Sequence, residues 1–307
     1  MNQIKFFLFL NGLIRGKIQN LRLLLSGVIT TTKNRIANSS TLNFKSQELR
    51  LSVLEAIYRS GKGHIGGAFS CIDILVALYY GGILKYDSKN EKWDKRDRFI
   101  LSKGHAAIAL YAVLSDLGYF NKSELELFNN GGMLGEHPDI NIPGIEINSG
   151  SLGHGLGVGA GMALAAKMDA ENYRTFVLLG DGECNEGSVW EAAMFAAHHN
   201  LENLTAIIDR NGLCIHGTTE EINRLNPLDK KFESFGWHVE TMNGHDIEEI
   251  VSKLKVKTID KPIMIIANTI KGKGVSFMEN ITSWHHGSIS EQQYVQAKKE
   301  LNNHLKL

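Results

Sequence analysis

Short apolar segments alternate with longer amphipathic segments along this chain. The clearest is 175–179, where every side chain is β-branched, aromatic or leucine; strands are also predicted at 98–101, 204–208, 237–241 and 263–267. Apolar-rich runs of this length are typical of strands buried on both faces of a parallel sheet. With helical patterns between them, they predict an α/β fold with a mostly parallel central sheet and helices on both faces.

Helical patterns occupy most of the remaining chain. A helix from Gln47 to Ser60 is predicted by four apolar residues on one face: Leu51, Leu54, Ile57 and Tyr58. Further helices are predicted at about 70–80, 106–117, 157–170, 188–198, 226–235 and 247–256, and a polar amphipathic helix after residue 290. These elements predict a main domain at 45–290 and a helical tail at 291–307.

Residues 1–44 differ in composition from the rest. They contain no acidic residue, and basic or polar residues interrupt their apolar runs before these reach the about 18 residues of a membrane span. Such a leader fits an organelle transit peptide, a signal-like segment or an upstream start codon. We predict a dispensable extension at 1–44.

Charge and cysteine usage narrow the function classes. The 307 residues are 43% hydrophobic and include 33 Lys and Arg against 33 Asp and Glu, so nothing favours nucleic acid or a membrane surface as partner. The three cysteines, Cys71, Cys184 and Cys214, are odd in number and widely spaced, which fits neither a disulfide framework nor a zinc site. A reducing compartment, the cytoplasm, is therefore expected.

Two polar turns follow neighbouring predicted strands. Gly180-Asp181-Gly182 ends the strand at 175–179, and Asn211-Gly212 follows the strand at 204–208. The carboxyl ends of parallel strands form the ligand-binding edge of an open α/β sheet. Carboxylate and amide oxygens are hard donors that suit Mg²⁺ or Ca²⁺. Each turn alone could be ordinary, but two at this spacing favour a metal site.

Three histidines stand in glycine-rich loops. His64 lies within Gly61–Gly67, His105 precedes a predicted helix, and His137 lies in the glycine- and proline-rich segment 131–157. A helix N-terminus beside an imidazole favours an anion. A surface histidine at 64 and a helix-capping histidine at 105 are the alternatives. The sequence KGKG at 271–274 has no Walker pattern.

The spacing of the two turns resembles the signature of thiamine diphosphate (ThDP) enzymes, in which GDG is followed by Asn after an intervening segment, here residues 183–210. The surrounding GDGECNEGSVWEAAMFAAHHNLENLTAIIDRNGLCIHG is similar to transketolase in particular, and the resemblance runs from about 45 to 290. It implies the ThDP-binding fold of the diphosphate-binding domain. It covers only the amino-terminal half of a full-length transketolase.

The resemblance also implies roles for individual residues. His64, His137 and His286 would face the sugar as catalytic residues, with His286 preferred over His285 because it precedes a glycine. The metal ligands would be Asp181, Asn211 and the backbone carbonyl of Leu213. Cofactor-binding residues would be His105, Gly150, Ser151, Leu152, Gly180, Asp181, Gly182, Glu186, Asn211 and His286. The chain departs from the family at Ile65, where proline is usual, and at His154, where many relatives carry glutamine.

In the family, the glutamate that activates the cofactor and the arginines that hold the sugar phosphate lie in other domains. The resemblance thus implies the amino-terminal subunit of a split transketolase. It would act in an α₂β₂ assembly with a separate carboxy-terminal subunit, ThDP and Mg²⁺ (or Ca²⁺ or Mn²⁺), on sugar phosphates. Three alternatives stay open: the α chain of a 2-oxo acid dehydrogenase, a relative of deoxyxylulose-phosphate synthase, and a ThDP-binding regulatory protein without turnover.

Overall fold

The computed structural model describes residues 38–305, so most of the predicted extension lies outside the described residues. Nine helices lie in this range: α1 Ser39–Ser60, α2 Ile65–Tyr80, α3 Ala107–Asp116, α4 His154–Met168, α5 Gly187–His198, α6 Thr219–Ile222, α7 Leu228–Ser234, α8 Ile247–Lys253 and α9 Glu291–His304. No helix of residues 38–305 is both long and apolar enough to cross a membrane.

Helix α1 begins before the predicted domain boundary. The side chain of Asn38 accepts a hydrogen bond from the backbone N–H of Thr41, which is the usual N-cap contact. The helix therefore runs continuously through residues 44 and 45. It ends at Gly61, whose φ of 75° is the left-handed conformation that glycine adopts most easily.

Five strands form one sheet in which every pairing is parallel. They are β1 Arg98–Leu101, β2 Thr175–Gly180, β3 Leu204–Arg210, β4 His238–Asn243 and β5 Ile263–Asn268, in the spatial order β1-β2-β3-β5-β4. The predicted strands agree with these within one or two residues at each end. The predicted α/β fold with a parallel central sheet is confirmed.

The strand side chains alternate between two apolar layers. In β2, Phe176 and Leu178 pack with α1, α2 and α3, whereas Val177 and Leu179 pack with α4 and α5 on the opposite face. This alternation explains why the central strands β2, β3 and β5 are largely apolar, since both of their faces are covered, whereas the edge strand β4 is mostly polar and only partly buried. Burying one such large side chain contributes about 1.5–3 kcal/mol. Helices therefore cover both faces, as predicted.

The tail helix α9 completes the first of these layers. Tyr294 stacks on Tyr58 of α1 with ring centroids 4.1 Å apart, and Ala297 and Leu301 are fully buried. The tail is thus packed into the core of the domain.

The strand register sets the position of the site. Gly180 at the end of β2 pairs with Asp209 of β3, and Asp209 pairs with Ala267 of β5. Because the strands are parallel, the segments that follow β1, β2, β3 and β5 leave the sheet at the same edge.

Candidate active site at the carboxyl edge of the sheet

Asp181 joins the turns that follow β2 and β3. Its buried carboxylate accepts hydrogen bonds from the backbone N–H of Gly182 at 2.8 Å and of Gly212 at 2.6 Å. In the second turn, the side-chain oxygen of Asn211 accepts from the N–H of Leu213 at 3.1 Å. The structure thus brings together the three residues that the sequence offers as metal ligands.

These three residues fit a divalent cation. Burial and the neighbouring charge of Asp209 raise the pKa of Asp181, while the amide contacts and Arg210 oppose that rise. A cation beside Asp181 would offset the like charge of Asp209 that contributes to this rise. A carboxylate, an amide oxygen and a backbone carbonyl also match the oxygen ligands that Mg²⁺ and Ca²⁺ prefer.

Glu183 is the second buried acid of the GDGECNEG segment, after Asp181. Its carboxylate accepts hydrogen bonds from the N–H of Gly180 and of Gly153, both at 2.9 Å, and from the hydroxyl of Ser102. Burial raises its pKa although these hydrogen bonds act in the opposite direction. The contacts tie together the loops after β1 and β2 and the loop before α4, so Glu183 organises three walls of the site.

Glu186, the glutamate singled out from sequence, lies beside the same loop: a side chain at Gly153 would meet its Cβ at 2.6 Å. It is exposed at the residue that precedes α5. The sequence offered one signal for Glu183: it follows Gly182 directly, within the first turn after β2.

Beneath the site, four side chains form what we call the floor: Lys103, Asp209, Ser70 and Thr269. The ammonium of Lys103 binds Asp209 and donates to the carbonyl of Gly67 at 2.9 Å. Asp209 also accepts from the hydroxyls of Ser70, at 2.6 Å, and Thr269. Burial would lower the pKa of Lys103 and raise that of Asp209, but their pairing reverses both shifts.

Above the floor lies a histidine cluster centred on His64. Its ring centroid is 4.4 Å from that of His286, 5.4 Å from His285, 5.5 Å from His105 and 6.2 Å from His137. The three sugar-facing histidines inferred from sequence are therefore neighbours. His285, which the sequence reasoning set aside, lies among them.

Backbone contacts hold the cluster together. Gly63 and Gly287 exchange two N–H···O hydrogen bonds of 3.1 Å, which place His64 beside the His285-His286 pair. The hydroxyl of Tyr111 donates to the carbonyl of His137 at 2.7 Å and so fixes the third loop. These long-range contacts join segments that are far apart in sequence.

The histidines at the centre of the cluster are neutral near pH 7. Burial, followed by the charge of His286, lowers the pKa of His64 to about 4. Burial and Lys271 lower that of His285 to about 3, and burial with Lys103 places that of His105 well below its ordinary value. Neutral imidazoles both donate and accept hydrogen bonds, which suits the binding of sugar hydroxyls and proton transfer.

Lys271 links the turn after β3 to the histidine cluster, a contact not predicted from sequence. Its buried ammonium donates to the carbonyl of Leu213 at 3.1 Å and to Nδ1 of His285 at 3.0 Å. Burial and the charge of Lys103 lower its pKa to about 8. The KGKG loop was its only signal in the sequence, and a phosphate-binding interpretation of that loop lacked a motif.

Gly150 stands where two loops approach closely. Its φ is 144°, and a side chain there would meet the ring of His137 at 2.9 Å, so glycine is required. A side chain at Gly104 would likewise meet the N–H of Gly150 at 2.7 Å. Ser151 is exposed and Leu152 half-buried beside this contact, while His154 is exposed at the start of α4.

Comparison with known proteins agrees with this geometry. Residues 43–305 match the family model described as "Transketolase, thiamine diphosphate binding domain". The chain is 46% identical over 268 residues to one of the apulose-4-phosphate transketolase subunits, from Phocaeicola vulgatus, covering 86% of this chain and 95% of that protein. It is 43% identical over 264 residues to the 6-deoxy-6-sulfo-D-fructose transketolase subunit SqwG of a Clostridium species, covering 85% and 96%.

The chain spans less than half of the full-length transketolases that it resembles. Human transketolase is 37% identical over 83% of this chain and 41% of its own length. The crystal structure of transketolase from Campylobacter jejuni superposes with a TM-score of 0.81 at 32% identity, covering 87% of this chain and 43% of that one. The chain therefore belongs to the transketolase family and forms its amino-terminal, ThDP-binding domain.

Proposed function

We propose that this chain is the amino-terminal subunit of a two-chain transketolase. It would transfer a two-carbon ketol unit from a ketose phosphate to an aldose phosphate. The observation that carries the proposal is the cluster of histidines around His64, directly beside a turn of hard oxygen donors. The two relatives named as subunits, which match almost end to end, support the two-chain arrangement.

In this proposal the two halves of the site have separate tasks. Asp181, Asn211 and the Leu213 carbonyl hold a divalent metal, with Mg²⁺ as the first choice. ThDP supplies the carbon nucleophile. The residues proposed to contact ThDP are Lys271, His105, Gly150, Ser151, Leu152, Gly180, Gly182 and Glu186, with Glu183 and the floor holding their loops in place.

The histidines handle the substrate. His64, His137 and His286 donate to and accept from sugar hydroxyls and move protons as carbon–carbon bonds break and form. With burial holding the pKa of His64 at about 4, this ring accepts a proton only transiently near pH 7. Such a group suits proton relay rather than permanent charge pairing.

The partner would be a carboxy-terminal subunit in an α₂β₂ assembly, with the cytoplasm as its location. Full-length transketolases carry more than half of their length beyond the region matched here. We propose that the base which activates ThDP and the groups which bind the sugar phosphate lie on that second chain.

The relatives suggest two specialised donors in addition to common pentose phosphates. One relative is named for apulose 4-phosphate and another for 6-deoxy-6-sulfo-D-fructose. We therefore propose to test those two sugars beside xylulose 5-phosphate.

The deciding experiment is a ketol-transfer assay with ThDP, Mg²⁺, ribose 5-phosphate and each of the three donors. It is run on this chain, on the candidate partner and on the mixture. Activity in the mixture alone is the expected result. Activity of this chain alone would contradict the two-chain proposal, and ThDP binding without turnover in any mixture would favour a regulatory protein.

A further inference from the structure

An acidic side chain lies among the substrate-facing histidines. Glu136 directly precedes His137, one of the three histidines inferred to face the sugar. Its carboxylate therefore adds an acidic group to the part of the site that would meet the sugar.

The carboxylate of Glu136 contacts the histidine cluster directly. Its Oε1 is 3.5 Å from Nε2 of His286, 3.3 Å from the side-chain nitrogen of Asn129 and 3.8 Å from Nζ of Lys62. One oxygen of Glu136 and one ring nitrogen each of His64 and His286 all lie within 4.8 Å of one another. A sugar that contacts both rings would thus lie beside the carboxylate.

Glu136 carries its negative charge at neutral pH. Partial burial would raise its pKa, but the hydrogen bond and charge of His286, with His64 and Lys62, bring the pKa below its ordinary value. Its side chain is 23% exposed. In such a cleft the charge is screened less than at an open surface.

A bound metal ion explains this arrangement less well. Two imidazoles and a carboxylate are suitable ligand types for zinc. However, Lys62 lies 3.8 Å from the carboxylate and the charge of Lys271 acts on His64, so a dication would meet repulsion on two sides. A neutral, hydroxyl-bearing ligand meets no such penalty.

We propose that Glu136 is a specificity-determining residue that favours donors with a neutral hydroxyl next to the reacting ketone over donors with an anionic group there. The proposal rests on the transketolase function proposed above. An ionised carboxylate only accepts hydrogen bonds, so a hydroxyl can donate to it. An anionic group at the same place meets like charge and leaves Glu136 without a donor.

Two small donors separate these cases. Erythrulose is neutral and has a hydroxyl next to the ketone, and cleavage of its C2–C3 bond releases glycolaldehyde. Hydroxypyruvate has a carboxylate in that position, and cleavage of its C1–C2 bond releases that carbon as carbon dioxide. Both deliver the same two-carbon ketol unit. Neither carries a phosphate, so the donor phosphate site proposed for the partner does not affect the comparison.

The test compares Glu136→Gln with wild type in the reconstituted two-chain enzyme, with ribose 5-phosphate as acceptor. Glutamine keeps the shape and removes the charge. We expect kcat/KM for hydroxypyruvate relative to erythrulose to rise about tenfold, through a lower KM for hydroxypyruvate. A ratio that stays within about twofold of wild type overturns the proposal. So does a ratio that rises only because kcat for erythrulose falls, since that result would indicate a role in proton transfer.

Glu126→Gln is the matched control. Glu126 is 60% exposed and pairs at 3.3 Å with Arg59 on the surface, so this variant also removes one carboxylate but should leave the donor ratio unchanged.

A second measurement keeps the two proposals distinguishable. If neither donor is consumed, the proposed function fails, and the contact is then tested by ¹⁵N–¹H NMR of the histidine rings in this chain alone. Glu136→Gln should shift the ring signals that disappear in His286→Gln. Unchanged signals overturn the proposal independently of activity.

Discussion

The floor of the site and the histidine cluster above it satisfy their polar groups in opposite ways. In the floor, Asp209 receives donors from Lys103, Ser70 and Thr269, and all four side chains come from this chain. In the cluster, four histidine rings lie within 6.2 Å of the ring of His64, so that the imidazoles are chiefly one another's neighbours.

This difference indicates that the floor stabilises the loops of the site, whereas the histidine cluster is available to contact a ligand. A buried ion pair with complete hydrogen bonding holds its loops in one arrangement, and removing one partner leaves an uncompensated charge. Neutral imidazoles in a partly open cleft hold no such charge and remain accessible to a ligand. The two regions should therefore respond differently to mutation: the floor through stability, the cluster through turnover.

The largest effect is expected from the floor. Lys103→Met leaves the buried carboxylate of Asp209 without its counter-charge, and we expect the free energy of unfolding to fall by about 3–5 kcal/mol. Equilibrium unfolding in urea measures this loss. The control is Lys230→Met, which removes an exposed ammonium 2.8 Å from Glu233 and should change stability by about 0.5 kcal/mol or less. Equal losses in the two variants would contradict the assignment of the floor as scaffold.

The next effect concerns the cluster. His64→Gln removes the central imidazole, and we expect kcat/KM of the reconstituted enzyme to fall about 100- to 1,000-fold. Because the ring carries no charge pair essential to folding, the urea midpoint should stay near that of wild type. If His64→Gln instead lost much stability but kept its kcat/KM per folded molecule, the cluster would have the stabilising role assigned to the floor.

Asp181→Asn tests the proposed metal site formed by Asp181, Asn211 and the Leu213 carbonyl. The variant keeps an oxygen that accepts from the backbone but removes the ligand charge, so ThDP affinity in the presence of Mg²⁺ should weaken at least about 100-fold. Calorimetry on this chain with Mg²⁺ and with EDTA measures the difference. If the variant still binds ThDP as tightly as wild type, Asp181 is not a metal ligand.

The fourth effect is the pH dependence of stability. The pKa of His64 is about 4 in the folded chain against 6.5 for an unperturbed histidine, and that of His105 is also lowered. Between these values the unfolded chain binds more protons, so stability should decrease as pH falls from about 6.5 to 4. The lowered pKa of Asp209 acts in the same direction but only below about 3.8.

Urea midpoints at several pH values between about 7 and 4.5 test this window. His64→Gln should flatten the dependence there, and His198→Gln, at the carboxyl end of α5 and away from the cluster, should not. The raised pKa values of Asp181 and Glu183 act in the opposite direction, so the comparison of variants decides: a dependence that His64→Gln leaves unchanged would contradict the lowered pKa of His64.

Much of the fold and part of the site could be predicted from local patterns. Short strand patterns with flanking turns located all five strands; the central strands are largely apolar because both of their faces are covered, whereas the edge strand β4 is mostly polar and only partly buried. The turns at Asp181 and Asn211 were recognisable because they follow such strands directly. His64, His105 and His137 were recognisable because glycine-rich loops leave a ring little to pack against.

Residue roles that depend on contacts with segments distant in sequence could not be predicted. Glu183 and Glu186 are close in sequence and chemically identical, but only Glu183 points back towards Gly180, Gly153 and Ser102. His285 and His286 are adjacent in sequence. Only His285 contacts Lys271, which comes from the segment after β5 and also contacts the Leu213 carbonyl. Glu136 carried no signal until its carboxylate was seen next to His286.

The sequence alone determined the α/β class, the strands, the edge at which ligands bind and the family. Only the tertiary structure decided which charges are paired and which remain free to meet a ligand. The physical reason is that periodicity and turn chemistry act over a few residues, whereas the pairing of Lys103 with Asp209 joins residues 106 positions apart. Such a pair exists only once strand order and register bring β1, β3 and α2 to the same edge.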